Sequence, residues 1–302
     1  MNLSEIARGV FQSQLQEMRL HLEGCIEGKD PIHLHDLRVA NRRTRAALTE
    51  FKKLLPEDVY QEYREDFRWI HRITGKVRDL DVFLGHYQLN KKEIAKSWRI
   101  YLEPLEKSLE RKRVLALSDL SGTLQSDRVI GILESWSDIL ESGITGASPL
   151  SLEDAKEYGS LRIVKRYRQL QKDGQKLAKT SPAEEYHDYR IQVKNLRYLM
   201  EFYKPAMDQE EFESLNGALK SVQDVFGGFQ DAEIQAHHIR EMAVELAGEG
   251  VSVDALLALG QLLGVLEKQL ARGRKKSLKK ARWIISDANA RAFQSCFQYP
   301  VD

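Results

Sequence analysis

The chain has 302 residues, 42% of them hydrophobic, with 46 lysines and arginines against 45 aspartates and glutamates. That is enough apolar material for one large core or two smaller ones. No run of about 18 apolar residues exists, which excludes a membrane-spanning helix, and the start MNLSEIARGVFQ lacks the apolar stretch of a secretory signal. The two cysteines, Cys25 and Cys296, show no CxxC spacing, so a cytoplasmic protein with reduced thiols is expected.

Helical periodicity dominates and few strand patterns occur. The spacing predicts helices over 3–27, 32–55, 57–74, 78–89, 92–118 and 126–141. A turn-rich stretch, 142–151, reads as a linker. A second set follows over 152–179, 182–204, 208–226, 229–247, 253–272 and 274–297. Asp30-Pro31 and Ser181-Pro182 each place a capping residue before a proline at a helix start. Gly75 and the pair Gly227-Gly228 read as helix ends. Each half, 1–141 and 152–302, suits a bundle of four main helices.

The two halves share a basic pattern. His35, Arg38, Arg42 and Arg45 recur 152 residues later as His187, Arg190, Lys194 and Arg197. Asp36 with Asp188, Lys52 with Lys204, Asp79 with Asp231 and His86 with His238 keep the same offset. On an α-helix the four stripe positions fall within an arc of roughly 80°. In the first copy Leu37, Ala40, Ala47, Leu48, Phe51 and Leu55 form the opposite, core-facing side. Lys52 and Lys53 continue or flank the stripe, which spans roughly 27 Å. Stacked cations repel one another, and a multiply charged anion offsets that cost. Carboxylate partners within the protein are the plainer explanation for any single basic helix. Duplication of the pattern favours an external anion. Asp79 and Asp231 are candidates to orient Arg38 and Arg190.

Other chemistry leaves little trace. His33/His35 and His237/His238 have poor spacing for a metal, and no HExxH pairing occurs. Neither a Walker loop nor GxGxxG is present. No catalytic constellation is found, and neither a cofactor nor a metal is expected. In the run from Lys268 to Arg282, Lys268 and Arg272 are expected to face the ligand. Arg274, Lys275, Lys276, Lys279 and Lys280 read as a solvated face.

Four segments together resemble the CHAD domain, the conserved histidine α-helical domain. They are HDLRVANRRTRAALTEF at 35–51, RWIHRITGKVRDLDVF at 68–83, YHDYRIQVKNLRYLMEFY at 186–203 and LKSVQDVFGGFQDAEI at 219–234. The resemblance implies an all-α fold with one such domain over 1–302. It would comprise two tandem repeats, each a four-helix bundle, related by pseudo-twofold symmetry around a basic groove. It also implies non-catalytic binding of inorganic polyphosphate and association with polyphosphate granules. Carried over by position, the eight stripe residues become the ligand face. Arg68 and Lys220 occupy matching places in the following helices, and Lys52, Lys53, Lys204, Lys268 and Arg272 complete the expected set. Two departures make the repeats unequal: Val193 stands opposite Asn41, and Gln230 opposite Arg78.

Linear polyphosphate offers charge at every unit and no bases to stack. Guanidinium forks suit its oxygens. The first stripe lacks the interleaved aromatics of a single-strand binder, which disfavours nucleic acid. Rival readings are a phosphohydrolase or phosphotransferase, which would need metal or equivalent clamps, a nucleic-acid-binding helical protein, and a scaffold for acidic protein segments.

Overall fold

The computed structural model describes residues 1–143, 148–207 and 209–297. The chain is all-α. In order the helices are α1 (Leu3–Glu27), α2 (Pro31–Glu50), α3 (Glu57–Ile73), α4 (Gly75–Lys91), α5 (Lys96–Arg99), α6 (Glu103–Leu124) and α7 (Asp127–Ser142). They continue with α8 (Ala155–Lys176), α9 (Ala183–Tyr203), α10 (Gln209–Gly248), α11 (Val253–Ile284) and α12 (Asp287–Phe297). Of the expected linker, residues 144–147 lie outside the described residues, and Pro149–Leu152 forms a 3-10 turn.

Local chemistry sets most boundaries. Asn2 and Glu5 form a reciprocal capping box at the start of α1. Gly28 ends that helix at φ 66°, and an added Cβ would also strike the Leu117 side chain. Asp30 caps α2 by accepting from the Ile32 N–H at 2.9 Å, with Pro31 in the first turn. Ser181 does not cap α9 as expected. Its hydroxyl accepts from the Ala178 N–H at 3.1 Å, and the helix starts at Ala183.

Other expectations fail for identifiable reasons. The helix expected to 55 stops at Glu50 and continues only as a 3-10 turn, Lys52–Leu54. Pro56 drives the residue before it, Leu55, into an extended conformation. The expected 92–118 helix breaks into a single turn, a 3-10 turn and then α6, with Pro104 in the first turn of the restart. The pair Gly227-Gly228 does not end a helix, because α10 runs unbroken through it. Each helical glycine costs about 1 kcal/mol. Phe226 and Phe229, which flank the pair, are buried and pack on Tyr186 and Tyr189 at ring separations of 5.3–6.0 Å. Burial of such rings contributes about 1.5–3 kcal/mol each, which outweighs the glycine cost. Gly273 also lies inside a helix. A Cβ there would come within 3.2 Å of the Phe229 ring, so the residue marks close packing.

Two compact units emerge. The first comprises Met1–Asp81, Lys112–Ile163 and Tyr198–Gln209; the second comprises Val82–Arg111, Val164–Arg197 and Glu210–Asp302. Each unit therefore contains segments from both sides of 142–151. The first is built around Trp136, which meets Tyr63 at 4.5 Å, Phe11 at 5.2 Å and Phe67 at 5.7 Å between ring centres. The second holds Tyr167 stacked on Phe293 at 3.8 Å. It also holds a buried amide chain, in which Gln269 donates to Asn90 and Asn90 donates to Gln235, each at 2.8 Å.

Candidate functional site

The first stripe lies on α2. His35, Arg38, Arg42 and Arg45 are all half-buried, while Leu37, Ala40, Ala47 and Leu48 on the other side are buried. Helical periodicity thus fixes the cations along one face. Arg38 is anchored by the end of α3. Its Nη1 donates to the His71 carbonyl and to the Thr74 hydroxyl, both at 2.7 Å. The His71 carbonyl belongs to the last turn of α3, where carbonyls lack helical donors. Thr74 Oγ1 donates in turn to the Ile70 carbonyl at 2.8 Å. Arg42 Nε donates to the hydroxyl of Tyr198 on α9 at 2.6 Å. Neither Asp79 nor any other carboxylate makes these bonds; Asp79 is exposed and acts on Arg38 through its charge.

The charges crowd. Burial pushes the Arg38 guanidinium down to about 10; Asp79 opposes the shift, and Arg42, Arg78 and Arg45 deepen it. Burial and then Arg68 lower Arg45, against Glu65. His35 is held below the ordinary histidine range, first by burial and then by Arg78, with Arg42 and Arg38 adding to Arg78 and Asp36 opposing. Its imidazole is therefore predominantly neutral at pH 7.

Arginines off the stripe behave differently. Arg43, the neighbour of Arg42, pairs with Glu201 at 2.8 Å. Arg162 binds Glu50 through two bonds of 2.9 and 2.7 Å, and Arg113 binds the buried Asp81 at 2.5 Å. These three off-stripe guanidiniums are compensated by carboxylates, while Arg99 and Arg282 donate to backbone carbonyls. On the stripe, Arg38 and Arg42 are held by neutral oxygens, so orientation is fixed while charge is kept.

The second stripe, on α9, also presents four half-buried residues: His187, Arg190, Lys194 and Arg197. Its buried side carries Tyr186, Tyr189, Val193 and Leu196. His187 Nδ1 lies 2.8 Å from Gln230 Oε1, so that ring N–H donates to the amide. Glu233 also feels His187, with burial and Glu184 raising the carboxyl and Arg274 and His187 lowering it. The Arg190 Nε is buried without a hydrogen-bond partner. Asp231 stands 3.9 Å from His86 Nε2.

The remaining expected residues are exposed. Lys52 and Lys53 lie on the 3-10 turn beyond α2, so they do not extend the stripe along the helix. Lys52 sits 3.4 Å from Glu57 and over the Tyr60 ring at 4.6 Å. Arg68, on α3, reaches Glu65 at 3.0 Å. Lys204 lies on a 3-10 turn, Lys220 on α10, and Lys268 and Arg272 on α11. The run after Arg272 is not uniformly a solvated face. Arg274 donates to the Ser181 and Lys179 carbonyls and lies over Tyr186 at 5.0 Å. Arg282 donates to the Gln175 and Leu177 carbonyls at the end of α8, and Lys280 donates to Ser221 at 2.8 Å. Arg282 thus satisfies carbonyls at the C-terminal end of α8, whereas Lys275, Lys276 and Lys279 are exposed.

Arg78, His71, Thr74 and Tyr198 are site residues that periodicity alone does not give. The sequence signalled Arg78, as the partner at the 152-residue offset of Gln230, and Tyr198, as the aromatic beside the second stripe. Burial, followed by Asp36, pushes the Cys25 thiol up to about 12, which leaves it a poor nucleophile. Among the described residues no group of three or more His, Cys, Asp or Glu side chains could hold a metal ion, and no helix is long and apolar enough to cross a membrane.

A search of curated proteins finds no match. Among solved structures, the chain is similar to the crystal structure of the CHAD domain from the plant Ricinus communis. That likeness has a TM-score of 0.71 and 21% identity, and covers 100% of this chain and 93% of the other. It is also similar to PptA from Streptomyces chartreusis, with a TM-score of 0.67 and 17% identity over 99% of this chain and 100% of that one. At such identities the likeness concerns the fold. The CHAD domain family model matches residues 9–240, a span that includes both stripes, and the chain belongs to the CHAD domain family.

Proposed function

We propose that this protein binds inorganic polyphosphate without chemistry of its own, through the His/Arg/Lys faces of α2 and α9, and that it associates with polyphosphate granules in the cytoplasm. The observation that carries this reading is the row of cations along α2, whose Arg38 and Arg42 are oriented by neutral oxygens. Arg43, Arg113 and Arg162 meet carboxylates, while Arg38 and Arg42 are braced by a carbonyl and two hydroxyls. A charge-assisted contact to phosphate is stronger when the guanidinium is already oriented and still uncompensated. Linear polyphosphate matches a row of such groups, because it carries charge at every unit.

The test is a salt-resolved affinity for long-chain polyphosphate beside charge-matched DNA and heparin. Preference for polyphosphate is expected, with affinity falling steeply as salt rises. Substitution of Arg38, Arg42, Arg190 and Arg197 by Ala is expected to abolish tight binding while helix content persists. Equal weak binding to all three polyanions sinks the reading. Incubation with polyphosphate and Mg²⁺ or Mn²⁺ checks the absence of chemistry; phosphate release above background, lost on substitution of Asp79, would favour a phosphohydrolase. A fluorescent fusion that ignores granules would remove the localisation from the proposal.

A further inference from the structure

Tyr198 is the first residue after the second stripe, yet its hydroxyl serves the first. It is 3% exposed and belongs to the same compact unit as α2. Its oxygen accepts the Arg42 Nε–H at 2.6 Å. Both Arg42 and its neighbour Arg43 have guanidinium carbons 5.9 Å from the Tyr198 ring centre. The two arginines then diverge: Arg43 is neutralised by Glu201 at 2.8 Å, and Arg42 has the phenol.

The choice of acceptor matters. A guanidinium has five N–H donors in a fixed plane. Engaging Nε alone clamps that plane and leaves both Nη groups for a fork onto an anion. A carboxylate in the same place would cancel the charge, and a phenylalanine would leave Arg42 free to rotate. We infer that Tyr198 is a positioning residue, whose hydroxyl holds Arg42 by Nε so that its paired Nη groups can take a phosphate of the bound chain. This rests on the polyphosphate reading above and assigns to that site a residue that bears no charge.

Tyr198→Phe removes one oxygen and keeps the ring in its packing. Three readouts decide the matter: polyphosphate affinity, the exchange of the Arg42 Nε–H with water measured by ¹⁵N NMR without ligand, and affinity in an Arg42→Lys background. The expected results are a roughly fivefold loss of affinity, the scale of one hydrogen bond, faster Nε–H exchange, and no additional loss once Arg42 is Lys. An unchanged affinity overturns the inference. So does an equal loss in the Arg42→Lys background, because Tyr198 would then act through packing. If Tyr198→Phe unfolds the protein, Arg42→Lys alone decides: it lacks the Nε–H, and wild-type affinity in that variant overturns the role. A wild-type protein that binds no polyphosphate sinks the functional reading instead. The hold of Tyr198 on Arg42 is then scored separately, by Nε–H protection in the free protein.

Discussion

The two basic faces share a spacing and differ in their surroundings. On α2, His35 and Arg38 both feel Arg78, and Arg45 feels Arg68. Beside α9, the position matching Arg78 is Gln230 on α10, whose amide oxygen accepts from His187, and Glu233 lies in the same electrostatic neighbourhood. The α2 face therefore carries an additional arginine, opposed by Asp79, Asp36 and Glu65, where the α9 face has an amide. A repeated motif need not repeat its energetics: like-charge crowding raises the gain from an anion and lowers the comfort of the free protein.

Removing whole faces should break the comparison most clearly. Combined Ala substitution of Arg38, Arg42 and Arg45 is expected to weaken polyphosphate binding by roughly a thousandfold or more, since each charge-assisted contact carries about 1.5–3 kcal/mol. The matching substitution of Arg190, Lys194 and Arg197 should cost roughly tenfold less. Equal losses, measured by calorimetry at one salt concentration, would show that the surroundings do not matter.

A brace should matter less than the cations it holds. Thr74→Val keeps shape and removes the hydroxyl that Arg38 reaches at 2.7 Å. Affinity should fall about fivefold, and the free protein should lose about 1–2 kcal/mol in urea unfolding, because a buried polar group loses its partner. No loss in either measurement would assign Arg38 wholly to the His71 carbonyl.

Protonation of His35 sharpens the contrast further. Its folded pKa lies below the unfolded value of about 6.5, so in the window between them the unfolded chain binds the extra proton. The stability from His35 is complete above about pH 6.5 and is lost as pH falls through the folded pKa. Binding should run the other way. A polyanion raises the pKa, so affinity should rise about two- to threefold between pH 7 and 6. The trend should vanish in His35→Ala; its persistence there would assign the proton elsewhere.

The smallest change converts one face toward the other. Gln230→Arg should shift polyphosphate affinity by no more than about twofold at pH 7. A larger shift, measured by calorimetry, would mean that this one position dominates the difference between the faces.

The sequence carried the stripes because helical periodicity is local: His35 to Arg45 need only the α2 backbone to share a face. Asp30-Pro31 was legible for the same reason. The braces were not. Thr74 lies 36 residues from Arg38 and Tyr198 lies 156 residues from Arg42, and no spacing rule connects them. Gly227-Gly228 misled because glycine propensity is weak beside two buried phenylalanines. Ser181-Pro182 misled because the serine hydroxyl had a competing donor three residues upstream.

Arg45 has a consequence for anyone engineering this protein. It is half-buried and pressed by Arg68, and among the described residues its guanidinium makes no hydrogen bond to a carboxylate, Glu65 acting on it through charge. Its replacement by an uncharged residue should make the unliganded protein more heat-tolerant. A directed-evolution campaign scored on thermal tolerance would discard it early, and would harvest sturdier proteins that had lost their ligand. Under the polyphosphate-binding proposal, selection for this fold should be run with polyphosphate present.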